Sequence, residues 1–337
     1  MMMTEKERLG AVLAGATVDR PPVLCPGGMM SAATAGVLRQ TAGNRHNDPA
    51  AMAEVAETIR AATGFENLGV PFCLTVEAED LGSRVDPGGA EVEPRVAVYA
   101  AAQPAAVMAR PLPPPDSPSR AAVVCDAIKL LAARHDDTPV IGNLTGPMSL
   151  ATSLIDPLVF FRLLRKDPAG AHVFLDYLTE YLAGFARRQA AAGADAVAIA
   201  DPTATGEILG PANFRTFVRP YLRRLARTIR AAGSGVIIHI CGDATLLLEE
   251  IRDMGPAALS FDSVVSMRKA QTVLEGIPLM GNISTQVLHR GTPERIGQAA
   301  KHALDSGVSI LAPACGVSLQ TPLANLRALT DTGRRPR

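Results

Sequence analysis

Tryptophan is absent from this chain of 337 residues, and aromatic side chains make up only 4% of it. Its core must therefore close on aliphatic and small side chains. Net charge is also missing: Lys and Arg balance Asp and Glu to give +0, which argues against nucleic acid or an anionic lipid surface as a partner. No apolar run approaches the length of a membrane span. The opening MMMTEKERLGAVLAG is charged and carries no secretory core, so no membrane association and a cytoplasmic location are expected. The five cysteines are odd in number and far apart, which excludes a disulfide framework and suits a reducing compartment. Neither GxGxxG nor GxxxxGK[ST] occurs, so nucleotide chemistry is not indicated. Cys25, Cys73 and Cys125 have no partner in the sequence and are assigned to packing.

What is present is an alternation of short apolar runs with longer helical stretches. Strands are expected near 22–25, 67–72, 139–143, 195–200, 235–240, 257–261, 278–282 and 308–313. Helices are expected over 48–62, 167–192, 211–232, 245–254, 266–274 and 293–305. Asp48 before Pro49, and Thr292 before Pro293, are good helix starts. Eight strands with helical crossovers predict an α/β fold, a (β/α)8 TIM barrel, as one domain over 1–332. A small insertion is expected at about 77–118, with a hairpin turn at 86–89 and a proline-rich connector in RPLPPPDSPS. Residues 333–337 are expected to form a disordered tail.

Two segments carry chemistry: GVIIHICGD and ILAPACGVS. Side chains two apart on a strand share a face, so His239 and Cys241 point the same way at a strand end. Cys315 arrives at a similar strand end. Two thiols and one imidazole are three of the four ligands zinc takes, and the open fourth position suits a substrate. In a barrel of this kind reactive groups gather at the carboxyl ends of the strands, where Asn143, Asp201, Asp262 and Asn282 are also expected. Asp262 is either a displaceable fourth ligand or a group that caps the next helix or holds His239. Glu207 is a second carboxylate candidate, equally readable as part of a helix start at Thr205. Asn143, Asp201, Glu207 and Asn282 are expected to orient substrate or cofactor, or to cap turns.

The chain resembles the uroporphyrinogen decarboxylase superfamily, and within it the methylcobamide:coenzyme M methyltransferases. The resemblance is carried by ENLGVPFCLTVEAEDLG at 66–82, GNLTGPMSLA at 142–151, ADPTATGEILGPANF at 200–214 and HICGDAT at 239–245. GNISTQVLHRGTPERI and ILAPACGVSLQTPLANL continue it toward the end. It implies a zinc-dependent methyltransferase that moves a methyl group from a methylated corrinoid, such as methylcobalamin, to a thiol such as coenzyme M. The zinc signature maps onto His239, Cys241 and Cys315. The arginine-rich motif with which the decarboxylases grip a tetrapyrrole is missing from CPGGMMSAATAGVLRQTAG, although Arg39 is present. No corrinoid-binding signature of the Asp-x-His-x-x-Gly type occurs, so the corrinoid is expected from a partner corrinoid protein or as a free molecule. Tetrahydrofolate as acceptor, a decarboxylase, and a corrinoid-binding protein with a structural zinc are the alternatives. Arg39, Arg84 and Arg219 stand unranked as holders of an acceptor's acidic group.

Overall fold

The structure, a computed structural model, describes residues 3–89 and 91–335. Its strands are β1 (Leu68–Val70), β2 (Arg84–Asp86), β3 (Arg95–Val98), β4 (Val140–Thr145), β5 (Ala196–Ala200), β6 (Gly235–Ile240), β7 (Ala258–Phe261), β8 (Leu279–Ile283) and β9 (Ile310–Pro313). Seven of them form one parallel sheet in the order β1-β4-β5-β6-β7-β8-β9. Runs such as Ala196–Ala200 are buried along their whole length, because the strands meet helices outside and other strands across the barrel. β2 and β3 pair antiparallel, apart from the barrel, with a wider loop than the tight turn expected.

The segment expected as the first strand, 22–25, forms only an isolated bridge to Leu311. It nonetheless stands between the two sheet edges. Leu24 N–H donates to Leu311 O, Leu311 N–H to Pro22 O, and Glu66 N–H to Val23 O. The Asn67 side chain adds two bonds to the Cys25 backbone, at 2.8 and 2.9 Å. The α/β barrel is thus completed by an eighth, irregular segment.

The inside of the barrel is filled by Leu24, Met30, Ile141, Ala198, Ile237, Ala258, Met280 and Ile310, packed with Leu9 and Val12 of the helix Glu5–Leu13. Burying each of those two side chains contributes about 1.5–3 kcal/mol. The alternate residues of the strands, including Val197, Ile199, Val236 and Ile238, join the larger cluster beneath the outer helices. This alternation decides which rim residues can face the mouth. Two positions beyond Ile141, Ile237, Ala258 and Met280 stand Asn143, His239, Ser260 and Asn282. Asp201 follows Ile199 and belongs to the opposite face.

Most helices lie where expected. Pro49–Thr63 is capped by Asp48, whose carboxylate accepts from Ala50 N and Ala51 N. Pro168–Ala191 and Pro293–Asp305 also match. The single helix expected over 211–232 is instead two, Gly206–Phe217 and Arg219–Ala231. Gly210 at φ 69° precedes Pro211 and kinks the first; Pro220 cannot continue it and opens the second. The tail begins later than expected: Gly333 closes the last helix, and Arg334 reaches toward Glu5 and Glu66, 3.6 and 3.7 Å away. Residues 336–337 lie outside the described residues.

Candidate metal centre

β6 carries His239 inward at the barrel mouth, and Cys241 follows just past the strand's end. Gly242, at φ 66°, turns the chain sharply there; a side chain at this position would sit 2.8 Å from Glu207 Oε2. Cys315 comes from the loop after β9, on the far side of β7 and β8. The ligand atoms of His239, Cys241 and Cys315 lie within 4.8 Å of one another. His239 Nε2 is 3.2 Å from Cys241 Sγ, and the two sulfurs are 3.1 Å apart. Cys241 and His239 are buried, and Cys315 is partly open.

The two thiols lie within hydrogen-bond distance of each other. Their mutual hydrogen bond pushes Cys315 below its ordinary value and Cys241 above it. His239 is oriented by Ser260, its neighbour in register on β7. Its Nδ1 is 3.0 Å from Ser260 Oγ, and that hydroxyl in turn points at Met30 Sδ, 3.6 Å away. Held this way, the ring turns Nε2 toward the sulfurs, and the tautomer protonated at Nδ1 presents its lone pair to them. Two soft sulfurs and one imidazole with its lone pair presented are a donor set that fits zinc.

The other expected residues surround this trio rather than join it. Asp262 Oδ2 accepts from Gly242 N–H at 3.3 Å, and Oδ1 takes the Ser263 hydroxyl; Ser260, not Asp262, holds His239. Glu207 accepts from Asp243 N–H at 2.7 Å, which holds its carboxyl below the usual range. Thr205 caps that helix through Ile208 N–H. Asn282 donates to the carbonyls of Asp262 and Val265, tying down the loop after β7. Asn143 donates to the carbonyls of Pro26 and Val70, bridging the closing segment to β1. Asp201 is fully buried and accepts from Met148 N–H, Ser149 N–H and Ser149 Oγ at the start of the helix Pro147–Leu154.

A cavity of about 540 Å³ opens beside the trio, running from Cys315 and Met29 to Arg45, His46, Phe72 and Cys73. Met29 Sδ lies 3.8 Å from Cys241 Sγ. Cys73, expected only to pack, accepts from Arg120 Nη2 at 3.0 Å and from Thr75 Oγ1. The arginines expected as acidic-group holders lie elsewhere: Arg219 pairs with Glu250 at 2.7 Å, Arg84 is exposed on the hairpin, and Arg39 lines a different hollow. Sequence reasoning missed Ser260, Met29, Arg45 and His46. Only Ser260 had a detectable signal, its alternation with Ala258 on a strand next to β6.

The chain is similar to known proteins over nearly its whole length. The chain is 30% identical over 336 residues to the methylcobamide:CoM methyltransferase MtbA of Methanosarcina acetivorans, covering 98% of each. It is 31% identical to the methylcobamide:CoM methyltransferase MtaA of Methanosarcina barkeri, covering 97% of this chain and 96% of that one. A solved methyltransferase from Methanosarcina mazei superposes with a TM-score of 0.86 at 30% identity, over 98% of both chains. No single helix among the described residues is long and apolar enough to cross a membrane. The family model described as uroporphyrinogen decarboxylase (URO-D) matches residues 4–336, and the chain belongs to that family.

Proposed function

We propose that this protein transfers a methyl group from a methylated corrinoid, brought by a partner corrinoid protein or as free methylcobalamin, to a thiol such as coenzyme M. The observation that carries this reading is the convergence of His239, Cys241 and Cys315 at the barrel mouth beside a cavity. The full-length likeness to proteins named methylcobamide:CoM methyltransferases supports it. His239, Cys241 and Cys315 would hold zinc, which when bound makes an added thiol ionise near neutral pH while leaving its sulfur nucleophilic.

The chain's own residues prepare that site. Ser260 fixes the His239 ring so that Nε2 faces the two sulfurs. Asp262 and Glu207 fix the backbone of 242–243, and with it the direction of Cys241. Asn282 and Asn143 anchor the loops on either side, and Asp201 secures the helix beneath the rim. The cavity beside Cys315 gives an acceptor room to place its sulfur against the trio, so positioning supplies much of the rate. The unbridged cysteines suit a reducing compartment, and the cytoplasm is the proposed location.

The test is demethylation of methylcobalamin against a panel of thiols and tetrahydrofolate, with zinc measured on the same sample. Thiol-dependent demethylation that disappears in Cys241→Ala and Cys315→Ala is expected. Full activity in metal-free protein, turnover of a porphyrinogen, or transfer to tetrahydrofolate alone would overturn the reading.

A further inference from the structure

The closing segment makes a tight turn beside the sulfur trio. Gly27 and Gly28 both take left-handed backbone, at φ 97° and 57°, and Met30 N–H donates to Gly27 O at 2.9 Å. A Cβ at Gly28 would lie 2.8 Å from Asn143 Oδ1, so glycine is required there. The turn brings two methionines to the metal centre. Met30 is buried; its Sδ lies 3.6 Å from the Ser260 Oγ that holds His239, and its carbonyl accepts from the Cys25 thiol at 2.7 Å. Met29 is half-buried on the same cavity as Cys315, with its Sδ 3.8 Å from Cys241 Sγ. Its carbonyl stands against the chain just past Cys315, where a Cβ on Gly316 would come within 3.1 Å. The Met29 backbone is thus fixed from both sides.

Zinc–sulfur bonds of about 2.3 Å in a tetrahedron set two sulfurs about 3.8 Å apart. Met29 and Cys241 already stand at that separation. Ordinary sulfur contact has a similar length, so the alternatives decide. Asp262 is engaged through both oxygens, by Gly242 N–H and the Ser263 hydroxyl, and Glu207 holds Asp243 N–H. Among the described residues Met29 Sδ bonds only to Cys241. Two thiolates balance the charge of a divalent ion, and a neutral thioether leaves that balance intact. A carboxylate in the same place would add a negative charge against an incoming thiolate.

We propose that Met29 is the fourth donor of the metal centre at rest, a soft thioether that keeps the open position until an acceptor sulfur displaces it. This rests on the zinc reading above and adds to it the identity of the resting ligand. In the exchange the Met29 thioether leaves with its lone pair, the acceptor sulfur supplies its own, the thiol proton passes to solvent, and nothing is oxidised. A weak donor suits a position that must be vacated in every turnover.

The experiment is zinc K-edge absorption on the full chain, reconstituted with zinc, with selenomethionine in place of its 11 methionines. A selenium neighbour at bonding distance from zinc is expected; it disappears in Met29→Leu, a change that conserves volume, and on saturation with 2-mercaptoethanol. Cobalt-substituted protein supplies a second readout through its sulfur charge-transfer band. If the thioether fills the position about nine-tenths of the time, Met29→Leu tightens thiol binding about tenfold. A packing role alone would leave that affinity unchanged or weaken it, and either result overturns the proposal. Bound zinc with no selenium neighbour, or with one that survives Met29→Leu, also overturns it while leaving the zinc reading in place. A selenium neighbour that persists in saturating thiol overturns the displacement. A chain that binds no zinc removes the zinc reading, and the resting ligand with it.

Discussion

The sulfurs of Cys241 and Cys315 stand 3.1 Å apart although 74 positions separate them in the chain. That is well beyond the about 2.05 Å of a disulfide and close enough for two thiols to share a proton. Each lies just past the carboxyl end of a parallel strand, with β7 and β8 between them, so only closure of the barrel brings them together. A cation would relieve a crowding that protons manage poorly, because two thiolates at this distance repel strongly without one.

Zinc content follows directly. Purified or reconstituted protein is expected to carry one zinc per chain, and Cys241→Ala, Cys315→Ala and His239→Ala are each expected to lose it. Alkylation adds a reading independent of activity: chelation should expose the thiols of Cys241 and Cys315, while Cys25 stays slow because it is buried and its thiol is pushed above the ordinary range. Equal labelling before and after chelation would remove the metal from the site.

Ser260→Ala tests the support beneath the ligands. The variant keeps all three donors but frees the His239 ring to turn, since Nδ1 loses its hydrogen-bond partner. Zinc affinity is expected to fall about 10–100-fold, the usual effect of removing a group that orients a metal-bound histidine. Ser260→Thr should recover part of it. Competition with a chromogenic chelator measures both, and unchanged affinity in the alanine variant would mean the ring is held by other contacts.

The sulfur trio was legible in the sequence, and its support largely was not. Val236, Ile237 and Ile238 form an unbroken apolar run, which marks β6 and so the face shared by His239 and Cys241. The Pro22–Leu24 closure was readable as a strand, but its backbone joins β9 through only two bonds and never becomes regular. Asp201 was readable as a rim residue, yet its parity with Ile199 turns it outward to the helix Pro147–Leu154. Arg45 and His46 sit in an irregular stretch, 45–46, where no periodicity exists to say what they face.

Asp201→Ala is therefore expected to be a stability variant. It strands Met148 N–H, Ser149 N–H and the Ser149 hydroxyl, each a buried group costing about 1–3 kcal/mol when unpartnered. A loss of at least about 2 kcal/mol in urea unfolding is expected. Burial raises the Asp201 carboxyl to about 6, against the pull of those three donors. A folded-state value above the unfolded one makes its contribution full below about pH 4 and lost as pH rises through about 6. Asp201→Asn should flatten that part of the stability curve; an unchanged slope from pH 4 to 7 would count against it.

Glu66 should behave in the opposite sense. Its carboxylate is 2% exposed, paired with Arg20 and bonded to Val23 N–H at 3.0 Å, so it fastens the closing segment to the barrel. Burial alone would raise its value, but Arg20, the Val23 amide and Arg8 outweigh that and hold it below the ordinary 4.5. A depressed folded-state value means the contribution is present above about pH 4.5 and lost as pH falls through the lower folded-state value. Wild-type protein should lose urea stability on acidification from pH 5 to 3, with Glu66→Gln less stable at pH 7 and less sensitive to acid. Because Val23 is the residue Glu66 holds, hydrogen-exchange protection at Val23 and Leu24 should fall on acidification before protection in β5 and β6. A uniform loss of protection across Val23–Leu24, β5 and β6 would show that the barrel opens as a whole rather than at its irregular seam.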